Sequence, residues 1–559
     1  MYLRETRATD RHGRIVRYLQ LAHNRRDPKT GVPKAEIIHS FGRADGVDRE
    51  ALARLVRSIS RFLDPGAAVA AATPGEVQVL DARPMGGAWA LDHLWHQLGI
   101  NQSIQGLLKG RKLDQRVERV LFALVANRAL EPLSKLAATQ WVRERVFIPG
   151  LEEVDDDSCY RAMDFLLECE EELTRAVYFA TAELLQLEVD LIFFDGSTSY
   201  WETDGADPDW VDDEGEVVRL GFRQYGHSKD HRPDLPQVLI GMAVTKEGIP
   251  IRVWSWPGDT GESPLLRQVR DDLAGWQVGR VVWVADRGFS SNANRAYLSQ
   301  DGEHYIIGEK LRGESSEETR AALARPGRYQ RVRENLWVKE VMVGEGRFVI
   351  CHNPEEEVRD QRVRERLLSY LEEAIAGSDE LTATRRAELL GQLKTKPGLA
   401  RLLRVTKGGL LRVDRAKVAR EAHLDGKFLL RSSDPQLSAE EIALGYKQLL
   451  QVERGWRDMK TTLELRPVYH RKEERIRAHI VLCWLALLLI RVAENRTQDT
   501  WRNLCNELQI LHLGVFRGPA GEFHQRTEVT SRQAEILKAL DAPEPPRFLA
   551  LRAAPRSAA

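Results

Sequence analysis

The sequence predicts an α/β protein built on a mixed five-stranded sheet with an inserted subdomain, preceded by a small α+β module and a helical module. Two observations support this prediction. Apolar runs of strand length alternate with amphipathic segments between residues 189 and 307, and two of the runs end in an aspartate. A chain of 559 residues also exceeds what one hydrophobic core usually supports. We therefore expect several domains.

The first 64 residues are expected to form the small α+β module. Residues 15–22 and 35–41 are β-like runs around a turn-rich segment, and residues 49–62 repeat apolar side chains at helical spacing. The module holds 14 Lys and Arg against 8 Asp and Glu, which favours a basic surface. An Ala- and Gly-rich stretch at 65–75 is typical of a linker, and helical periodicity dominates residues 76–187.

The centre of the chain predicts the sheet. Its strands are expected at residues 189–194, 237–245, 249–256, 280–285 and 304–307, with helices at 263–273 and 292–298. This β-β-β-α-β-α-β order is that of a ribonuclease H-like fold, whose first and fourth strands deliver a residue to one place. Here those strands end in Asp195 and Asp286. We assign residues 188–312 and 436–530 to this domain.

Residues 313–435 are expected to be the inserted subdomain, because the helix that should follow the fifth strand does not come there. The segment holds β-like runs and charged helices instead. The helix of the fold resumes at Ser438, a predicted N-cap, with Glu441 completing a capping box. Residues 531–559 are expected to be a C-terminal tail.

Composition limits the class of protein. The five cysteines show no CxxC or Cys/His pairing, which argues against a disulfide framework and a zinc site and fits a reducing cytosol. The N-terminus has no apolar signal region, and the longest apolar run, residues 480–490, is short of a membrane span. The net charge of -1 does not by itself indicate a nucleic-acid partner.

Two strand-end aspartates mean little alone, since such an Asp is more often a turn former or a helix cap. A third carboxylate, Glu453, makes the two aspartates more significant as a candidate site. On the predicted helix after the insertion, Tyr446, Glu453 and Lys460 recur at intervals of seven, which returns nearly to the same helix face. Arg457 shares that stripe. The alternative is a solvated face with a Glu–Arg pair.

These motifs resemble the DDE transposases of bacterial insertion sequences, in the group with a Y-x2-R-x3-E-x6-K motif and a β-rich insertion. FFDGST around Asp195 and VADRGFSS around Asp286 resemble the first two acidic motifs of the family. Tyr446, Glu453 and Lys460 fit the spacing of the last motif. The resemblance covers residues 190–312 and 425–490, including the segment GIPIRVWSWPGDTGES.

One position departs from the family pattern. Leu449 stands where the motif has Arg, which leaves open whether Arg457 or Arg454 supplies the missing phosphate contact.

The resemblance implies two Mg²⁺ ions per site, for which Mn²⁺ can substitute, held by Asp195, Asp286 and Glu453. Two divalent ions about 3.5–4 Å apart activate an oxygen nucleophile and stabilise a departing 3′ oxygen. Mg²⁺ prefers oxygen ligands, so carboxylates suffice. Asp195 is expected to bridge both ions.

The resemblance also implies DNA partners, namely the terminal inverted repeats of an element and a target DNA, bound by a homodimer in the bacterial cytoplasm at the nucleoid. No membrane is expected. The two N-terminal modules are the expected binders of DNA ends.

Several side chains are candidates for DNA contact. Tyr446 and Lys460 would contact phosphate near the cleaved bond, by the resemblance. Each of the others has a structural alternative: a solvated loop for His227 and Lys229, neutralisation of the acidic site for Arg287, and a core position for Trp337 in place of base stacking.

Three functions fit these patterns. The first is an active transposase that cuts and joins DNA at inverted repeats. The second is a nuclease of the ribonuclease H fold that hydrolyses DNA without joining it. The third is a DNA-binding protein derived from a transposase, although retention of all three carboxylates argues against it.

Overall fold

The computed structural model describes residues 2–9, 15–26, 32–63, 77–185, 191–203, 205–276, 281–312, 316–518 and 521–553. The predicted linker at 65–75 lies outside these residues. The chain divides into two compact units, of which the first comprises residues 1–83, 511–529 and 545–559 and the second residues 84–510 and 530–544. Each unit is described by itself.

The first unit begins with an antiparallel three-stranded sheet and a helix. Its elements are β1 Tyr2–Thr9, β2 Ile15–Arg26, β3 Pro33–Arg43 and α1 Arg49–Leu63, followed by β4 Gln78–Pro84. The two predicted strands and the predicted helix are confirmed. The sequence missed β1 because its YLRETRAT run is mostly charged or polar and almost wholly exposed, so it lacks the apolar alternation of a half-buried strand.

The second unit opens with helices, as predicted. They are α2 Gly86–Gln97, α3 Ile100–Leu108, α4 Val117–Leu130, α5 Lys135–Glu144, α6 Asp156–Glu168 and α7 Glu170–Leu185. Nearly every side chain of α4 is buried, including Glu118, which accepts a 2.7 Å hydrogen bond from Trp95 Nε1. This helix is a central element of the helical part.

The five predicted strands all lie in one sheet. The elements of this part are β5 Leu191–Tyr200, the short pair β6 Trp210–Val211 and β7 Val217–Arg219, β8 Gln237–Val244, β9 Pro250–Pro257, α8 Glu262–Leu273, β10 Val282–Ala285, a 3₁₀ turn Arg287–Phe289, α9 Asn292–Leu298 and β11 His304–Glu309. Strand β10 runs parallel to both β5 and β11, whereas β8 is antiparallel to β5 and β9.

The sheet is larger than the predicted five strands. It has nine, in the order β12-β13-β14-β17-β11-β10-β5-β8-β9, and four come from residues 313–435. Strand β17 pairs antiparallel with β11, whose outer edge would otherwise leave backbone N–H and C=O groups unpaired. The elements of this segment are α10 Glu317–Ala324, β12 Gln330–Arg333, β13 Leu336–Val343, β14 Gly346–His352, α11 Pro354–Ile375, a 3₁₀ turn Ser378–Glu380, α12 Ala383–Lys394, α13 Pro397–Ala400, β15 Leu403–Val405, β16 Leu411–Val413, α14 Arg415–Ala422 and β17 Lys427–Ser432.

The helix expected from Ser438 onward is broken into two. Helix α15 spans Ala439–Lys447 and α16 spans Leu450–Thr461, and the predicted capping box of Ser438 and Glu441 is present. Between the helices, backbone N–H groups bond three residues back, as from Leu449 N to Tyr446 O at 3.0 Å, which tightens the chain into a 3₁₀ turn. The prediction of one continuous helix is therefore wrong: Tyr446 lies on α15, whereas Glu453, Arg457 and Lys460 lie together on α16.

Helix α17 (Glu473–Thr497) is a core helix on which α4, α6 and β9 pack. By length and composition it would qualify to cross a membrane, but 94% of its apolar window is buried inside the protein. It is followed by α18 Trp501–Leu508 and, after the strands β18 His512–Gly518 and β19 Gly521–Arg526, by α19 Ser531–Ala539. Strands β18, β19 and β20 (Phe548–Ala553) form a sheet with β4, so part of the predicted tail is a strand of the first unit.

Candidate active site

Asp195 and Asp286 occupy neighbouring positions on adjacent parallel strands. Phe194 pairs with Ala285 in register, and each aspartate directly follows its member of that pair. Strands in a sheet lie about 4.8 Å apart, so the two carboxylates belong to one site. Side chains alternate along a strand, which puts both aspartates on the face where Phe193 packs with the helices after the insertion.

The surroundings of Asp195 combine burial with a nearby cation. Lys229 Nζ lies 3.5 Å from Asp195 Oδ1 and 2.9 Å from Glu262 Oε1, and it donates a 2.7 Å hydrogen bond to Gly196 O. Burial raises the pKa of Asp195 to about 6, and Lys229 opposes that rise. The Lys229 ammonium group therefore lies between the carboxylates of Asp195 and Glu262. Two such carboxylates are also the kind of ligand that a divalent cation needs.

Glu262 is a member of this site that the sequence did not single out. It lies in the first turn of α8, inside the segment GDTGES that resembles the family, where an isolated Glu indicates only a favourable helix start. A Cβ at Gly196 would lie 3.2 Å from Glu262 Oε1, so the glycine leaves room for this carboxylate. The contact joins two segments distant in sequence, which no local pattern signals.

Asp286 accepts a hydrogen bond from a half-buried tyrosine. It precedes the 3₁₀ turn, and Tyr446 Oη donates a 3.0 Å hydrogen bond to Asp286 Oδ1. Burial raises the pKa of Tyr446 well above its ordinary value, and the Asp286 charge raises it further. Gly308 is the position on β11 beside Asp286, and a Cβ there would lie 2.5 Å from Tyr446 Oη. The tyrosine reaches the aspartate because residue 308 has no side chain.

Glu453 lies in the first turn of α16 and is exposed. The helix packs on β5 and β8, where Gly455 meets Met242, the cross-strand partner of Asp195. Among the described residues, no three Asp, Glu, His or Cys side chains converge as a ready metal-binding group. The role of Glu453 as the third ligand stays a prediction.

Lys460 forms an ion pair next to the acidic site. Its Nζ lies 2.9 Å from Asp230 Oδ1, and Arg466 Nη1 lies 3.2 Å from Asp230 Oδ2. Burial lowers the pKa of Lys460, although the bond to Asp230 opposes that effect. The loop that carries Lys229 and Asp230 thus contacts both the Asp195 site and the last motif.

The remaining candidates lie in different places. Arg287 is exposed and lines a cleft of about 550 Å³ beside Asp286, together with three further basic residues, Lys310, Arg312 and Lys427. His227 is exposed, whereas Lys229 faces inward.

Trp337 is half-buried on β13. Strands β14, β17 and β11 lie between β13 and β10, which places the two strands about 19 Å apart across the sheet. The structure does not bring Trp337 to the aspartates.

The two arginines left open by the departure at Leu449 also differ. Leu449 is buried, and Arg454 Nη2 pairs with Glu494 Oε2 at 3.0 Å. Arg457 is exposed and forms no ion pair with any residue in the described part of the chain. Arg457 is therefore the one of the two whose charge is available to a ligand.

Comparison with known proteins places these features in context. The family model for the transposase DDE domain matches residues 190–489, and the model for the N-terminal domain of IS1634 family transposases matches residues 3–71. A solved structure described as the piggyBac transposase synaptic complex with hairpin DNA is similar at 11% identity and a TM-score of 0.35, covering 76% of this chain and 78% of that chain. No curated protein matches.

Proposed function

Because the chain belongs to the DDE transposases of bacterial insertion sequences, we propose that Asp195, Asp286 and Glu453 carry its strand cleavage and strand transfer. The observation that supports this assignment most is the pairing of Phe194 with Ala285, which brings the first two carboxylates side by side. We also assign the sheet to the ribonuclease H-like fold, supported by the strand order β11-β10-β5-β8-β9.

DDE transposases use divalent metal ions, and we propose two Mg²⁺ ions here, with Mn²⁺ as a substitute. Asp195, Asp286 and Glu453 would hold them, and the oxygen-only donor set fits a hard cation. Such ions activate the attacking oxygen and stabilise the departing one. Lys229 supplies positive charge at Asp195. Tyr446 orients Asp286 by donating a hydrogen bond to one carboxylate oxygen and leaving the other free to accept.

DNA is the substrate, and we propose that it reaches the aspartates between two groups of basic side chains. On one side Arg287 and Lys310 line the cleft beside Asp286. On the other side lie Lys460 and Arg466, paired with Asp230. Phosphate contacts of this kind position a strand without reading its sequence. We further propose that two chains act together on the inverted-repeat ends, in the bacterial cytoplasm.

The experiment that tests this function is a joining assay. Labelled DNA carrying an inverted-repeat end is incubated with the full chain, a supercoiled target plasmid and Mg²⁺, and covalent end-to-plasmid products are resolved on a gel. The proposal predicts joined products that Asp195→Asn does not form. Hydrolysed ends without joined products would favour a nuclease, and binding without cleavage would favour a DNA-binding protein derived from a transposase.

A further inference from the structure

A second cluster of charge lies away from the aspartates, in a cavity of about 580 Å³ between the helical part and the segment that follows α16. Its lining includes Arg128, Lys135, Tyr160, Tyr469, His470 and His479. Arg128, Lys135 and His479 are each less than 5% exposed, and His470 is 9% exposed. Nothing in the proposed strand-transfer site uses these groups.

Within the described ranges, the two cations of this cavity, Lys135 and Arg128, form hydrogen bonds only to neutral acceptors. Lys135 Nζ lies 3.3 Å from His479 Nδ1, and His479 Nε2 lies 3.3 Å from Leu465 O. Since a carbonyl can only accept, Nε2 donates and Nδ1 accepts from the lysine. Arg128 donates to the carbonyls of Leu463 and Glu464, among others. Its Nε is buried and has no hydrogen-bond partner among the residues that the structure describes.

Burying a cation without a neighbouring negative charge destabilises the folded protein. Moving an ammonium or guanidinium out of water without an opposite charge carries a penalty of several kcal/mol. Neither Lys135 nor Arg128 forms an ion pair with any described residue, and Glu464, which is exposed, is the one acidic side chain among the described residues of the lining. Deprotonation can relieve Lys135 but not Arg128. The cavity therefore has positive charge that an incoming anion would neutralise.

The backbone adds to this positive potential. Ser134 caps α5, and the first turn of that helix lines the cavity. The N–H groups at the start of a helix have no partner within it, and the helix dipole favours an anion there. The exposed Pro467 and Tyr469 and the buried His470 also line a neighbouring cleft of about 640 Å³ that contains Lys460. The cavity thus borders the cleft that contains Lys460, in the region proposed to hold DNA.

We propose that this cavity binds a phosphate group of the DNA substrate, held by Lys135, Arg128 and the start of α5. The proposal rests on the function proposed above and extends it to a contact on the helical part. It assigns Lys135 and Arg128 as binding residues that act at a distance from the cleaved bond.

The first test uses inorganic phosphate as the probe. The melting temperature of the full chain is measured in phosphate and in sodium chloride of equal ionic strength. We expect phosphate to raise the melting temperature of the wild type and of Lys339→Met, a control that removes another buried lysine, bonded to Arg325 O. Lys135→Met is expected to fold, with no loss of melting temperature in chloride, and to lack the phosphate effect. Lys135→Gln serves as a second variant if the methionine variant does not fold.

The second test separates DNA phosphate from a free anion. Removing one phosphate contact should lower the slope of log affinity against log salt by about one. We expect Lys135→Met to show this decrease for inverted-repeat DNA and Lys339→Met to show none. A phosphate effect without a change of slope, meaning an adventitious ion only, would overturn the proposal, as would the absence of both effects. Joining by the wild type is measured separately, so joining together with an unchanged slope would reject this site and leave the proposed function standing.

Discussion

Tyr446 Oη donates a 3.0 Å hydrogen bond to Asp286 Oδ1, across the space left by Gly308. A hydrogen bond to a carboxylate contributes more than a neutral one, about 1.5–3 kcal/mol. The pair joins α15 to the carboxyl end of β10. The hydrogen bond therefore fixes the position of Asp286, one of the proposed metal ligands.

Replacement of that hydroxyl should destabilise the protein measurably. We expect Tyr446→Phe to lower the free energy of unfolding in urea by about 2 kcal/mol, because the Asp286 carboxylate loses a half-buried hydrogen-bond donor. The matched control is Tyr370→Phe, which removes an exposed hydroxyl bonded to Lys396 and should change stability by less than about 0.5 kcal/mol. Equal effects of the two variants would show that the hydrogen bond from Tyr446 to Asp286 contributes no specific stability.

Lys229 should oppose metal binding while stabilising the metal-free protein. Without Mg²⁺, we expect Lys229→Gln to lower the free energy of unfolding by about 2 kcal/mol, since Asp195 and Glu262 lose their shared cation. Mg²⁺ should then raise the melting temperature of this variant more than that of the wild type. Thermal denaturation with and without Mg²⁺ measures both effects.

The control for that prediction is Arg412→Gln, which breaks an exposed ion pair with Asp379. Exposed pairs contribute about 0–1 kcal/mol, so this variant should respond to Mg²⁺ as the wild type does. A smaller Mg²⁺ effect in Lys229→Gln than in the wild type would mean that the ammonium assists metal binding.

Asp230 should limit DNA binding by neutralising Lys460 and Arg466. We expect Asp230→Asn to bind DNA several-fold more tightly and with a steeper dependence on salt, because both cations become available to phosphate. Fluorescence anisotropy over a range of salt concentrations measures affinity and slope together. Asp234→Asn, which breaks the more exposed pair with Arg232 on the same loop, is the control. Weaker binding by Asp230→Asn would show instead that Asp230 positions the two cations.

Lys135 should make stability depend on pH. Burial and, to a lesser extent, the nearby Arg128 charge lower its pKa to about 7, while the unfolded chain keeps the ordinary value of 10.5. Between these values the unfolded chain binds more protons, so stability rises with pH. Relative to Lys135→Met, the wild type should gain about 2 kcal/mol between pH 7 and pH 9.

The other titratable groups around Lys135 do not obscure this comparison. Burial lowers the pKa of His470 to about 3 and that of His479 well below its ordinary value, so neither changes charge above pH 7. Burial raises the pKa values of the Cys159 and Cys483 thiols, and both thiols are retained in Lys135→Met. Urea unfolding at each pH measures the difference, and a difference that does not vary with pH would contradict the lowered pKa of the buried lysine.

The local sequence was sufficient to predict the strands and the positions of the first two aspartates. It did not predict the contacts between segments that are distant in the chain. Apolar runs ending in Asp195 and Asp286 are visible because a buried strand and the residue after it are adjacent in the chain. Strands β11 and β17 pair although more than a hundred residues separate them in the chain. No pattern in the sequence of either strand indicates which strand it will pair with. The contact between Lys229 and Glu262 is similarly non-local.

The break between α15 and α16 was missed for a different reason. Neither Pro nor Gly occurs at residues 448 and 449, so nothing in the composition announced the 3₁₀ turn. That turn changes the helical phase, which separates the inward Tyr446 from the exposed Glu453. Spacing at intervals of seven predicted one continuous helix through Tyr446 and Glu453, whereas the chain places these residues on two helices.

The most direct test of the central claim is Mg²⁺-dependent nicking of inverted-repeat DNA by single carboxylate variants. We expect Asp195→Asn, Asp286→Asn and Glu453→Gln each to reduce the nicking rate by about 100-fold or more, since losing metal stabilisation of the transition state costs several kcal/mol. Glu440→Gln, at another exposed glutamate on α15, should nick at the wild-type rate. Wild-type nicking by any of the three variants would contradict the assignment of these carboxylates to one metal-dependent site.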